Sequence, residues 1–386
     1  MYTTNFSYRR RPSPRLWLAA ILASILALFA WSAETDFALI MPKAGRSLLL
    51  DIAAAGERLV AVGERGHILY SEDGGSSWVQ VKVPTSVMLT RVFFISDTTG
   101  WAVGHDGNIL ASSDGGLSWT LQRDGVSEQV YINEETVARA RKRLAGLQQQ
   151  LDTAEPEQRD ELLTALEEAE SALATALEVM DEPVYASPLM DIWFADEHQG
   201  WAAGAFGTLL HTANGGRSWQ DIGYTLPNPE ELHLNGVAGS AEGTLYLASE
   251  WGYVFRSDGG EAWEAMETGF EGSYFGVLVN PASGSVFAYG LLGTIYRSTD
   301  RGENWQQLES NTGNSLFGAV AAPDGTLLFV GQNGTVLTSG DDGDSFTVLD
   351  DGSRGLYGVA YLAPGRFVVT GEGGSEPLAA LSGAGG

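Results

Sequence analysis

Apolar and polar residues alternate with period two in short runs along this chain, and the runs come in groups of four. Residues 90–95, 100–104, 108–112 and 119–123 form one such group, each run rich in β-branched or aromatic residues and bounded by Gly or Asp. That is the pattern of short antiparallel strands. Six of the groups contain a variant of Ser/Thr-x-Asp-x-Gly-x-x-Trp, whose last position is held by Trp78, Trp119, Trp219, Trp263, Trp305 and Phe346 at intervals of 41, 100, 44, 42 and 41 residues. A unit of about 42 residues cannot bury its own apolar face and must stack on its neighbours.

A second marker, Gly-x-x-Gly, lies between the second and third runs and counts the units independently. It occupies 63–66, 104–107, 204–207, 249–252 (with Ser249 in place of the first glycine), 290–293, 331–334 and 371–374. Seven turns predict an all-β, seven-bladed β-propeller over 34–386, each blade a sheet of strands a, b, c and d. The last unit runs short of sequence, because 376–386 offers at most one weak strand. The segment from Asp36 to Met41 is therefore expected to pair with blade seven and close the ring, removing an exposed edge.

The Asp-box reads as a folding element. Its Asp or Asn, at Asp73, Asp114, Asn214, Asp258, Asp300 and Asp341, falls in the c–d turn, where such side chains bond to the backbone and Gly takes a positive φ; the aromatic then packs between sheets. The fourth copy, from Arg256 to Trp263, is one residue tighter before Asp258. Six copies on one rim do not make one active site.

The long second interval changes from period two to a helical pattern. Val137, Ala140, Leu144, Leu147 and Leu151, then Leu162, Leu166, Ala169, Leu173, Ala176 and Met180, recur at steps of three and four, which predicts two apolar seams. The insertion, 128–182, is thus a helical hairpin with arms about 28 to 36 Å long at 1.5 Å per residue. It interrupts the d-to-a link between blades two and three. In an up-and-down sheet that link shares a face with the b–c turns, so the hairpin is expected beside Gly-x-x-Gly and opposite the Asp-boxes.

The residues inside those turns are accordingly the candidate binding face: Glu64, Arg65, His105, Asp106, Ala205, Phe206, Glu250, Trp251, Leu291, Leu292, Gln332, Asn333 and Glu372. Phe206, Trp251, Leu291 and Leu292 fall on consecutive blades three to five and form an apolar docking patch if exposed.

Charge and composition narrow the partners. The chain of 386 residues has a formal net charge of −27 and no cysteine, which disfavours nucleic acid and excludes disulfides, thiolate metal sites and a cysteine nucleophile. Residues 1–33 combine Arg9, Arg10, Arg11 and Arg15 with an uncharged apolar run over 16–33. That run is an export signal, cleaved or retained as an inner-membrane anchor, and it points the propeller to the periplasm or exterior. Five scattered histidines without i, i+4 spacing leave no case for zinc. No cofactor or metal is expected.

The repeated blocks GWAVGHDGNILASSDGGLSW (100–119) and GWAAGAFGTLLHTANGGRSW (200–219) resemble the photosystem II stability and assembly factor family, a branch of the Asp-box (BNR) propellers. The resemblance covers all seven units and excludes the leader and hairpin. It implies a non-enzymatic role in which a basic patch holds a membrane-protein subunit during assembly; in a non-photosynthetic bacterium it implies an accessory of a resistance-nodulation-division transporter. Among the turn positions named above only Arg65 is a permanent cation. The alternative is a sialidase-like glycoside hydrolase or a glycan-binding propeller. A sialidase needs an arginine triad and a Tyr/Glu nucleophile pair, and this chain is poor in arginine.

Overall fold

A computed structural model describes residues 36–350 and 354–378; the leader expected over 1–33 lies outside them. Seven antiparallel sheets follow one another along the chain, six of four strands and the seventh of three. Blade two matches the pattern read from sequence, with strands at Leu89–Phe94, Gly100–Gly104, Ile109–Ser112 and Thr120–Arg123. Strand order in every sheet follows chain order, a to d. Strand a of each blade packs on strand a of the next, and strand a of blade seven (Leu356–Ala363) on that of blade one (Leu49–Ala55), which closes the ring.

The core lies between the blades. Each apolar cluster joins two neighbouring sheets: Trp101, Phe194 and Leu210 bind blade two to three, and Phe287, Phe329 and Phe346 bind five to six. Strand b is buried along its length in most blades, as in Leu327–Gly331, because sheets cover both of its faces. Such a strand reads as a continuous apolar run rather than an alternating one.

Closure differs from the expectation. The segment from Asp36 to Met41 forms no strand and does not pair with blade seven. It runs beside the outer edge of blade one, where the Ala38 amide donates to the Val83 carbonyl at 3.0 Å. The Gln80 side chain accepts from the Met41 amide at 2.7 Å and donates to the Leu39 carbonyl at 2.9 Å. Only Ala38 of this segment is buried, so it lacks the alternating apolar face that a ladder in a closed core requires. Blade seven instead takes its third strand, Gly374–Pro377, from its own continuation, and the single turn Ala44–Arg46 packs against it.

Strand a has a bulge near its start in every blade, its second residue being passed over in the pairing with strand b. The residue after it is Asp51, Arg91 and Asp191 in blades one to three, then Gly236, Gly276, Gly318 and Gly358. In blades four to seven the strands approach so closely that a Cβ on Gly358 would lie 2.8 Å from the Asp51 Cα, and one on Gly318 would lie 2.3 Å from the Tyr357 carbonyl oxygen. Blades one to three use a buried ion network instead. Arg91 Nε lies 2.7 Å from Asp191 Oδ1 and its Nη1 lies 3.4 Å from Asp51 Oδ1. The remaining carboxylate oxygens accept the amides of Val92 and Val237 on the following blades, each at 2.9 Å. Burial pushes the Asp51 carboxyl up to about 6, against the attraction of Arg91.

Helices α1 (Gly125–Thr153) and α2 (Arg159–Asp181) form the hairpin. At 29 and 23 residues they are about 44 and 35 Å long at 1.5 Å per residue. The first starts earlier than the seam alone indicated, because the Asp124 carboxylate accepts the amides of Val126 and Ser127 and caps it. The seam holds at Val137, Ala169 and Ala176, which are buried, whereas Met180 is exposed. Among the described residues no helix is long and apolar enough to cross a membrane.

Candidate binding face

The two rims of the propeller use their side chains in opposite ways. In the Asp-box of blade two, Ser112 Oγ donates to Asp114 Oδ1 at 2.8 Å and accepts the Gly116 amide at 2.9 Å. Asp114 takes the Ser118 amide and hydroxyl at 2.9 and 2.6 Å, and the Trp119 indole donates to the Gly116 carbonyl at 3.1 Å. Blades one, three, five and six repeat the turn bonds around Asp73, Asn214, Asp300 and Asp341, and blade one also repeats the indole bond, from Trp78 to the Gly75 carbonyl. Hydrogen bonds from Ser77 hold the Asp73 carboxyl down at about 2, and those from Asn304 do the same for Asp300. The box carbonyls also receive arginines from the preceding blade: Arg58 donates to the Asp114 and Gly115 carbonyls, Arg256 to Arg301 and Arg297 to Asp342.

Asp258 departs from the expected box role. The missing residue draws it into strand c (Tyr253–Asp258), and its carboxylate receives Thr244 and Arg301 instead. Only the bond from the Gly260 amide to Ser257 Oγ remains of that box, while Trp263 still packs in the core.

On the opposite rim each Gly-x-x-Gly turn is a single tight turn whose third residue has a positive φ: Arg65, Asp106, Phe206, Trp251, Leu292 and Asn333 all lie between 53° and 58°. Blade seven has Gly373 there. The left-handed region is uncommon for large side chains and costs of order 1 kcal/mol or more. Three successive blades nonetheless place apolar bulk at that point, and Phe206, Trp251 and Leu292 are 51%, 61% and 66% exposed. Leu291 is exposed beside them and Ala205 is buried, so Ala205 leaves the candidate face. Glu64 and Glu250 are half-buried, whereas Arg65, His105, Asp106, Gln332, Asn333 and Glu372 are exposed.

The hairpin rises from this same rim. Arg123, at its root, donates to the Gly107 carbonyl of the blade-two turn at 2.7 Å and pairs with Glu128 at 2.6 Å. Gly125 approaches so closely that a Cβ there would lie 2.6 Å from the Asp106 carbonyl oxygen. Beyond the hairpin, Tyr185 meets the Phe206 ring edge-on at 6.1 Å, and Phe206 meets His233 at 4.8 Å. A groove of about 540 Å³ runs on from Phe206 past Tyr224, Leu226 and Pro229. Tyr131 and Ile132 on the first turns of α1, with Val179 and Met180 at the end of α2, extend the exposed apolar surface over the hairpin root. Sequence reasoning missed Tyr185 and Tyr224, which sit in connecting segments that carry no periodicity.

A further feature follows from the repeat register. The second residue of strand a is half-exposed in every blade and follows a buried first residue. It is Leu50, Thr90, Met190 and Asn235 in blades one to four, but Phe275, Phe317 and Tyr357 in blades five to seven. Phe275 and Phe317 lie 5.5 Å apart between ring centroids, tilted by 41°, and Phe317 and Tyr357 lie 5.2 Å apart at 22°. These rings form an arc around the innermost strands, one residue in from the Gly-x-x-Gly rim. Aligning the repeats would have revealed it.

Seven blades, six of them with an Asp-box, set the frame for comparison with known proteins. Residues 169–326 match the family model of the photosynthesis system II assembly factor Ycf48. That match spans less than half of the chain. The photosystem II assembly lipoprotein Ycf48 of Synechococcus sp. (strain CC9902) is 32% identical over 99 residues, a stretch that spans 25% of this chain and 29% of that relative. Among solved structures, a YCF48 bound to a D1 peptide superposes with a TM-score of 0.57 at 17% identity, covering 88% of this chain and 94% of its own. YCF48 from Cyanidioschyzon merolae gives 0.56 at 16% identity, with 88% and 97% covered. The WD40 propeller domain of Doa1 gives 0.56 at 12% identity, with 89% and 96% covered. At these identities the superpositions establish the propeller fold alone.

Proposed function

We propose that this Ycf48-like propeller is a non-enzymatic assembly or accessory factor. Its Gly-x-x-Gly rim and hairpin root seat a segment of a membrane-protein partner. The observation that carries this reading is the file of exposed apolar side chains at Phe206, Trp251 and Leu292, each on a left-handed turn residue. Exposed apolar bulk rimmed by polar groups marks a protein-contact surface. The YCF48 solved with a D1 peptide supports peptide capture by this architecture.

The partner proposed here is a subunit of a membrane complex, a photosystem component or a resistance-nodulation-division transporter according to the host. The propeller lies outside the cytoplasm, with 16–33 as signal or anchor. The rival hydrolase reading gains nothing from the arginines: Arg58, Arg91, Arg256 and Arg297 are held by carboxylates or carbonyls within and between blades, and do not converge on a substrate carboxylate.

The test is cross-linking of the full chain in its native membranes, followed by identification of the linked peptides. Cross-links from the Gly-x-x-Gly rim and the hairpin root to one membrane protein, lost in the Trp251→Ala/Leu292→Ala double variant, are expected. Cross-links confined to the Asp-box rim would overturn the assignment of the face.

A further inference from the structure

We propose that the arc Phe275–Phe317–Tyr357, beside the Gly-x-x-Gly rim, is a separate subsite on which an arginine side chain of the partner stacks while it pairs with Glu372. The proposal rests on the reading that partners dock on this rim, and it names the chemistry of one contact there.

Three observations converge on that ligand. The first is the arc itself. Four of the seven equivalent positions carry aliphatic or small polar side chains and three consecutive ones carry rings, all left half-exposed. Repeat packing does not demand rings here, since blades one to four close without them. A row of partly exposed aromatic surface suits a flat, weakly hydrated cation, and guanidinium stacks on aromatic rings where the compact ammonium of lysine does so less well.

The second observation is the charge beside the arc. The Tyr357 hydroxyl lies 3.4 Å from Glu372 Oε1, so a carboxylate borders the last ring of the series. Glu64 holds the equivalent turn position on blade one, the next blade around the closure. Arg354, on the link into blade seven, is engaged by Glu376 at 2.9 Å. The carboxylate next to Tyr357 raises the phenol's pKa together with burial, so Tyr357 stays neutral and offers its ring and hydroxyl rather than a second negative charge.

The third observation is the sign of the whole molecule. A net charge of −27 favours approach of cationic groups and disfavours the acidic peptide that a basic rim would hold. A glycan would also stack on rings, but neutral sugars draw nothing from this charge.

The experiment uses the intact protein and a heptapeptide, Gly-Ser-Gly-X-Gly-Ser-Gly, with X as arginine, lysine or the neutral isostere citrulline, titrated by chemical-shift perturbation of the peptide. The arginine peptide is expected to bind at least about tenfold more tightly than the other two, a difference of about 1.4 kcal/mol. Phe317→Leu, which keeps apolar volume and removes the ring, and Glu372→Gln should each lower its affinity about tenfold with the melting temperature unchanged. Trp251→Ala should leave it untouched, so failure of the apolar patch and failure of this subsite are read separately.

Equal binding of the arginine and lysine peptides, unaffected by either variant, would overturn the proposal in favour of diffuse charge. Absence of saturable arginine-peptide binding up to about 10 mM would overturn it as well. So would displacement of the arginine peptide by an N-acetylglucosamine trimer with no loss in Glu372→Gln, which would assign the arc to glycan.

Discussion

The Asp-box rim, with six boxes, and the Gly-x-x-Gly rim, with seven turns, belong to the same seven sheets, yet their polar groups have different fates. On the first rim, Ser, Asp and Gly of one turn satisfy one another, and arginines from the preceding blade bond the turn's carbonyls. On the second, the turns close mainly through backbone bonds, as where the His105 amide donates to Met88 and the Leu291 amide to Ser273. Glu64 and Glu250 accept backbone amides there, but the exposed Phe206, Trp251 and Leu292 take no part in those bonds.

That contrast breaks first, and most heavily, in the interior and at the Asp-box side. Replacing Arg91 with Met leaves Asp51 and Asp191 buried without their cation and should cost about 3–5 kcal/mol in chemical denaturation. Trp119→Ala empties a site packed edge-on against Phe94 at 6.0 Å and should cost a similar amount, about 3–5 kcal/mol. Asp114→Ala removes the acceptor of three short bonds on a largely exposed turn, so a smaller loss of about 1–2 kcal/mol is expected.

The pH response sharpens the comparison. Asp51 has its carboxyl raised from 3.8 to about 6 in the folded protein, so the stability it contributes is fully present below 3.8 and is lost as pH rises through about 6. Asp73 and Asp300 are held down at about 2; their contribution is present above the ordinary carboxylate range and disappears as pH falls toward 2. The Asp51→Asn variant should flatten the dependence of melting temperature on pH between 3.8 and about 6. Ser77→Ala should lower stability at neutral pH, with the difference from the parent vanishing as pH falls toward 2.

The smallest effects belong to the recognition rim. Trp251→Gly and Leu292→Gly exchange a large left-handed residue for the one that adopts that conformation freely, so stability should stay level or rise by up to about 1 kcal/mol. Partner cross-linking should fall sharply in both. A large loss of stability would show instead that these side chains belong to the folding core.

Seven blades, their order, the structural use of the boxes and the face from which the hairpin leaves were all legible in the sequence, because repetition turns local propensity into a count and strand alternation fixes which links share a rim. The same reasoning placed Phe206, Trp251 and Leu292 on one face, since register survives from blade to blade. It misplaced the segment from Asp36 to Met41 and gave Asp258 a box role it lacks, because ring closure and a one-residue deletion depend on what lies opposite in space. It also had no means to see that Asp51, Arg91 and Asp191 meet, or that Phe275, Phe317 and Tyr357 form an arc. Those residues stand about 40 to 140 positions apart along the chain and become neighbours only when the innermost strands are wound around a common axis. A repeating sequence specifies its unit; which side chains face each other across units is decided by the angle and closure of the ring.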